Sequence, residues 1–343
     1  MVLPSSLWLG RGISFTNDNR HVVTGSDDKT IKYWSLSTPS PTAVRTLLSP
    51  HPVHSVDSSW LGTPKIASAG TNGCINIWSD QTADPIHTFQ WGEDTLTHVQ
   101  FNPSEPDILS TTGYDRCLTL FDLRQQTPLK RIQMEMRCNQ TSWIPTEPMN
   151  FLAASEDSNV YLFDMRNLSK ALGVFKGHVG PVLSVSCSPT GRTFVSGSYD
   201  KTLRIWNTRT SECKDVYHTE RMQRLFSVLY TMDSNFVLSG SDDGCVRVWK
   251  SNSSDQLAPI SAREQTSRNV ATALKKKYKD VPELSRIDRK RHLPKLVHKL
   301  KVQRHERGQR ERDKRKNVVK HSKPGSVPSV VPEKKKKIEK VVD

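Results

Sequence analysis

The chain has 343 residues, 50 Lys+Arg against 35 Asp+Glu and a formal charge of +15, enough length for one large domain or two ordinary ones. The charge is unevenly spread: residues 1–250 hold 23 basic and 24 acidic side chains, whereas residues 251–343 hold 27 and 11, a net of +16. This excludes a uniformly basic body and places a near-neutral globular part ahead of a cationic arm, whose charge density points to a polyanionic partner through release of condensed counterions.

The six cysteines (Cys74, Cys117, Cys138, Cys187, Cys213, Cys245) lie far apart with no C-x-x-C pair, which argues against a zinc module and a secreted disulfide framework. No run of about 18 apolar residues occurs. The expectation is an intracellular protein with no membrane partner, no cofactor and no small-molecule substrate.

From the start of the chain, six segments align without gaps. They are GSDDKTIKYW ending at Trp34, AGTNGCINIW at Trp78, TGYDRCLTLF at Phe121, SEDSNVYLFD around Phe163, GSYDKTLRIW at Trp206 and GSDDGCVRVW at Trp249. The anchor aromatics are 44, 43, 42, 43 and 43 residues apart. The residues one and three places before each anchor are apolar (Ile31/Tyr33 through Val246/Val248), and those between are mostly polar, so each anchor ends a half-buried strand. Six places before each anchor stands Asp28, Asn72, Asp115, Asp157, Asp200 or Asp243, a turn former that bonds nearby backbone N–H groups. Further β-rich runs lie upstream (21–26, 193–198) and downstream (85–90, 214–219). Four short strands per unit describe a propeller blade, giving an all-β β-propeller over 1–255.

The fifth unit, GHVGPVLSVSCSPTGRTFVSGSYDKTLRIWN, resembles the WD-repeat family most fully. That resemblance implies a structural hydrogen-bond network of His178, a strand serine (Ser196 or Ser198, with Ser198 the residue assigned), Asp200 and Trp206. Reading His178, Ser198 and Asp200 as a catalytic triad fails, because the spacing belongs to the repeat. The family implies seven blades where six are visible. We therefore expect an incomplete start or a six-blade closure using a strand at 256–262, since an open ring exposes sheet edges.

Beyond Trp249 the linker SNSSDQ leads into a basic, mainly helical arm, 256–343. Val270, Leu274, Tyr278 and Val281 recur at helical spacing as one apolar stripe. Pro282 and Pro294 punctuate the arm, and Leu296 and Leu300 begin a further segment. That segment runs into QRHERGQRERDKRKNVVKHSK, which has almost no apolar face and is expected to be extended, or helical only when docked. The candidate RNA or ribonucleoprotein contacts are Lys275, Lys276, Lys277, Arg289, Lys290, Arg291, Arg312, Lys314, Arg315, Lys316 and Lys320. The runs KKKYK (275–279), RKRH (289–292) and KKKK (334–337) also fit nuclear-import signals.

RIDRKRHLPK (286–295) and KHSKPGSVP (320–328), directly behind a propeller, resemble the Sof-type WD-repeat proteins, as do TPLKRIQMEMRCN (127–139) and KDVYHT (214–219) ahead of ERMQ. The resemblance covers the chain apart from a first blade. It implies a nucleolar scaffold of the small-subunit processome, partnered with pre-rRNA and U3 small nucleolar RNP proteins and needed for processing to 18S rRNA. A second resemblance competes. FDLR (121–124) and FDMR (163–166), with WNTR (206–209) as an imperfect copy, are similar to the W/Y/F-D-x-R boxes of cullin-four ubiquitin-ligase substrate receptors. It implies that Asp122, Arg124, Asp164 and Arg166 meet a ligase adaptor, the arginines offering forks of donors. No phosphate-cradling loop, H-E-x-x-H or metal-spaced cluster supports an enzyme.

Overall fold

The structure, a computed structural model, describes residues 10–37, 43–79, 81–91, 94–253, 259–283, 293–323, 326 and 332–342. Six antiparallel sheets follow one another along the chain as the blades of a β-propeller, the first five built from four of the propeller's own strands and the sixth from three. The first strand of each blade is innermost (Gly10–Phe15, Val53–Ser58, Leu96–Phe101, Cys138–Ile144, Val182–Cys187, Leu225–Tyr230), and successive inner strands touch. The expected runs 21–26 and 193–198 are strands with those bounds.

The period-two pattern becomes burial between blades. Ile31, Ile75, Leu118, Val160 and Leu203, all three places before an anchor, are buried, as are the anchors Trp34, Trp78, Phe121, Phe163 and Trp206. Each apolar side chain so enclosed contributes about 1.5–3 kcal/mol. The residue after each turn Asp or Asn adopts the left-handed backbone: Lys29, Gly73, Arg116, Ser158, Lys201 and Gly244 all have φ between 63° and 73°. At the five Asp turns the side chain takes the amide two residues on, as in Thr30 N–H to Asp28 Oδ1 (3.0 Å) and Thr202 N–H to Asp200 Oδ1 (3.0 Å).

Inner strands have a free edge, and the neighbouring blade blunts it with side chains. Ser55 and Asp57 of blade 2 accept from Val99 N–H (3.3 Å) and Phe101 N–H (2.8 Å) of blade 3. Gln140 and Ser142 of blade 4 accept from Val185 N–H (3.0 Å) and Cys187 N–H (3.1 Å) of blade 5. Ser184 and Ser186 repeat the pattern onto Val228 and Tyr230 of blade 6 at 3.0 and 3.1 Å. On the blade 1 side of this ladder stands Gly12, where a Cβ would lie 2.6 Å from Val56 N.

The run of seams stops at blades 1 and 6. Ile13 in blade 1 and Val246 and Val248 in blade 6 are 65%, 73% and 64% exposed, whereas the blade 5 equivalents of the valines, Leu203 and Ile205, are fully buried. The expected closing strand at 256–262 falls partly outside the described residues, and its described part, 259–262, is not a strand. Residues 254–258 lie outside the described set, Pro259 and Ile260 have no regular structure, and Ser261 caps a helix starting at Ala262. Six blades are therefore described where the family resemblance implied seven.

The arm holds helices α1 (Ala262–Lys277), α2 (Lys295–His321) and α3 (Glu333–Lys336), then a strand at Ile338–Val342. That strand pairs antiparallel with Pro128–Met134, the outer strand of blade 3, setting Val341 opposite Ile132 and Ile338 opposite Met134. Ile338 and Val341 pack on the blade 3/4 core, so an edge that would otherwise accept another chain is covered. Among the described residues, no helix is long and apolar enough to cross a membrane.

Candidate functional site

Blade 5 carries the complete network, and its proton order follows from the chemistry of each group. Trp206 Nε1–H donates to Ser196 Oγ (2.7 Å), Ser196 lies 2.7 Å from His178 Nε2, and His178 Nδ1 lies 3.0 Å from Asp200 Oδ2. Indole nitrogen only donates and carboxylate only accepts, so Ser196 O–H donates to Nε2 and Nδ1–H donates to Asp200. Burial holds the imidazole neutral, below its ordinary pKa. Asp200 is enclosed, yet His178, Thr202 and the Val179 N–H (3.1 Å) hold its carboxyl below the usual range against that burial.

Ser198, assigned to this network from the sequence, is not its bridging serine. Its hydroxyl donates to the carbonyls of Gly180 (3.1 Å) and Pro181 (2.8 Å) and accepts from Asp200 N–H (3.2 Å), tying the turn to the loop entering the inner strand. Alternation puts Ser196 and Ser198 on the same face, and the register separates them: Ser196 pairs with Arg204, placing its hydroxyl beneath the indole two residues on. A spacing of ten residues marks it in the sequence, because Thr24–Trp34 (2.9 Å), Ser68–Trp78 (2.8 Å) and Ser239–Trp249 (2.8 Å) make the same bond. Ser196 is completely buried with both neighbours served, which suits a lock and leaves no room for a nucleophile's substrate.

The two D-x-R boxes end the third strands of blades 3 and 4, on the face opposite these turns. Asp122 and Asp164 each accept from the backbone N–H of the arginine two residues on, at 3.0 and 2.9 Å, and Asn207 does the same for Arg209 in the imperfect copy (3.1 Å). The first letter of the box therefore shapes a turn that projects the arginine. Arg124 reaches Asp107 through Nε (3.0 Å) and Nη2 (2.8 Å), while Arg166 folds onto its own Asp164 at 3.1 and 3.0 Å. Lys65 and Arg124 hold the Asp107 carboxyl below the usual carboxylate range, and Arg166 does so for Asp164. Both arginines remain largely exposed, at 68% and 71% of the side chain.

The arm places its cations in two groups. Lys275, Lys276 and Lys277 form the last turn of α1, where they complement the helix dipole. Of the predicted apolar stripe, Val270 and Leu274 lie on α1, Tyr278 caps it and Val281 follows its end, and all four are exposed. Arg289, Lys290 and Arg291 lie outside the described residues. Arg312, Lys314, Arg315, Lys316 and Lys320 lie on the outer half of α2 and are exposed.

Helix α2 is one 27-residue rod, about 40 Å long, where the sequence led us to expect an extended segment or one helical only on docking. Its own propeller docks it. Val297 is buried, and Arg304 Nη1 donates to Ser158 Oγ (2.6 Å) in the blade 4 turn and to His178 O (3.1 Å) at the entry to blade 5. Lys176 of blade 4 pairs with Glu333 beside Arg312, and Lys337 pairs with Glu135 (2.7 Å), returning the arm to the propeller. Among the described residues, no group of three or more His, Cys, Asp or Glu is placed to hold a metal.

Comparison with known proteins agrees with both halves. A Sof1-like domain matches residues 251–338, and WD domain, G-beta repeats match 11–35, 169–207 and 212–250. The chain is 40% identical over 337 residues to DDB1- and CUL4-associated factor 13 of Danio rerio, covering 97% of this chain and 75% of that protein. The Homo sapiens protein of that name is likewise 40% identical over 337 residues, with the same coverage. Protein SOF1 of Saccharomyces cerevisiae is 38% identical over 293 residues, 81% of this chain and 59% of the yeast protein.

Proposed function

The chain belongs to the Sof1-like family of WD-repeat proteins, and on that premise we propose that it is a non-catalytic scaffold of small-ribosomal-subunit biogenesis. In this reading it works in the nucleus and nucleolus, in the small-subunit processome, with pre-rRNA and U3 small nucleolar RNP proteins. The observation that carries the reading is helix α2, with 11 basic and 3 acidic residues, docked at Val297 and Arg304 so that Arg312–Lys320 stands as an exposed cationic edge. Such an edge binds phosphates by charge, and each one neutralised steepens the salt dependence. Deleting 262–343 should release the protein from the nucleolus and from co-sedimentation with pre-ribosomes; unchanged sedimentation would sink the proposal.

The alternative reading is a substrate receptor of a cullin-four ubiquitin ligase, and the relatives named DDB1- and CUL4-associated factor 13 support it, together with the projecting Arg124 and Arg166. The two roles separate in one experiment. Replacing both arginines by Ala removes the adaptor from pull-downs while leaving pre-ribosome association intact, because these side chains lie on the face opposite the turns on which α2 docks. Retention of the adaptor by the double variant would refute the ligase reading.

A further inference from the structure

Two exposed tyrosines stand on the turn face, each with a guanidinium laid over its ring. Arg137 Cζ is 4.7 Å from the Tyr114 centroid at the seam of blades 3 and 4, and Arg224 Cζ is 4.3 Å from the Tyr199 centroid at the seam of blades 5 and 6. The rings are 46% and 44% exposed. Sequence distance hides their equivalence: each tyrosine immediately precedes a turn Asp, and each arginine leads into the next inner strand.

The pairs differ in charge. Arg137 Nε lies 2.6 Å from Glu156 Oε1, so its cation is matched by a carboxylate. Arg224 is exposed and lies against Tyr199, and its backbone carbonyl accepts from Asp242 N–H (2.9 Å). Only the second pair therefore joins a planar, solvent-facing cation to an aromatic support.

Its position matters as much as its chemistry. Tyr199 N–H donates to Pro181 O (2.9 Å), and a Cβ on Gly180 would lie 3.4 Å from Tyr199 Cβ. His178, three residues before Pro181, presents the carbonyl that Arg304 of α2 grips. The basic helix and the Tyr199–Arg224 pair thus flank one short loop, 177–181. That loop belongs to the blade with the complete His178–Asp200–Ser196–Trp206 lock, and Ser198 adds two bonds to it.

We propose that the Tyr199–Arg224 pair is a stacking platform for an unpaired base of an RNA strand whose phosphates run along α2. The inference rests on the RNA-binding reading of the arm and adds a site for single-stranded RNA. A guanidinium plane over tyrosine offers its outer face to a base, as Arg and aromatic planes do in single-strand recognition. Charge on α2 attracts any polyanion, whereas a stacking plane selects a splayed nucleotide over a duplex, whose bases are already stacked.

The test uses the full chain, a short unstructured pyrimidine-rich RNA carrying one fluorescent purine analogue, and a blunt RNA duplex of equal charge. Tyr199→Ala should weaken single-strand binding about tenfold, leave the salt slope unchanged and abolish quenching of the analogue, while duplex binding stays constant. Arg224→Lys keeps the charge, loses the plane and should act in the same direction; Tyr114→Ala, whose arginine is tied to Glu156, should have no effect. Arg224→Lys keeps the test decisive should Tyr199→Ala disturb the fold. If both platform variants bind single strands like the parent while arm deletion abolishes binding, the platform is refuted and the arm reading stands. If the parent binds neither RNA, both are refuted.

Discussion

Asp57 is a carboxylate doing a hydroxyl's work, and replacing it by Asn should stabilise the protein at neutral pH. It accepts from Phe101 N–H (2.8 Å) across the blade 2/3 seam and from Ser14 Oγ (3.1 Å) of blade 1. At the equivalent seam positions, Ser142 and Ser186 do the same task without charge. Burial pushes the Asp57 carboxyl up to about 6 from 3.8, against the pull of the Phe101 and Ser58 amides and Ser14. At about 1.4 kcal/mol per unit, keeping it ionised costs about 3 kcal/mol. The residue is only partly buried, and screening by water reduces this to about 1–2 kcal/mol. A raised folded-state pKa means that the parent's contribution is most favourable below 3.8 and is lost as pH rises through about 6. Buried His178 and His98 (the latter held down to about 4) work the other way, losing stability as pH falls below 6.5, but they are common to both proteins and cancel in the difference. Urea denaturation of parent and Asp57→Asn should therefore give a stability gap that is full above about 6 and absent below 3.8. A gap that does not change with pH, or a variant less stable at neutral pH, would refute the reasoning.

The blade 5 lock should rank its members in the same assay. His178→Ala takes one donor from the buried Asp200, which keeps Thr202 and Val179 N–H, and the acceptor from Ser196, and should cost about 2–3 kcal/mol. Ser196→Ala leaves the Trp206 indole N–H unpaired at about 1–3 kcal/mol, and Ser198→Ala, which leaves Asp200 bonded to His178, should cost about 1 kcal/mol. A larger loss for Ser198→Ala than for Ser196→Ala would reverse the assignment. Val341→Asp in the arm strand should uncover the outer edge of blade 3, and hydrogen exchange at the arm-facing amides within Arg131–Met134 should accelerate by about tenfold or more. Unchanged exchange there would mean that the strand does not shield the edge.

What the sequence made legible is what depends on local chemistry. Each turn Asp announces a left-handed residue after it, because its carboxylate bonds the amide two residues on, and Asn72 stands at the same place before Gly73. The period sets the anchors, and alternation sets which neighbours are buried. Reading failed where the partner is main chain or far away. Arg304 docks on the carbonyls of His178 and Asp157, and a carbonyl leaves no trace in residue identity. IEKVV is too short to announce a strand, and its register exists only against residues about 200 positions earlier. At the end of the run expected as a strand at 256–262, Ser261 accepting from Glu264 N–H is a helix cap, so the chain turns helical at Ala262. The open flanks of blades 1 and 6 show the limit of the repeat pattern itself. Val246 and Val248 follow it fully, yet burial requires a neighbouring blade, which pattern alone does not supply.

The arrangement of blade 5 also explains why a triad-like trio belongs in a scaffold. A basic helix gains little from docking on a mobile loop, because ordering that loop would cost about 1–2 kcal/mol per residue and offset the contacts made. The loop 177–181 is instead ordered beforehand by His178, Asp200 and Ser198, whose bonds take the Gly180 and Pro181 carbonyls and leave that of His178 to receive Arg304. The other blades lack the Gly-His pair, and the helix grips none of their entry loops through Arg304. The ordered loop is thus the one on which α2 docks, and the bonds of His178 fix the surface beside which the helix presents its charge.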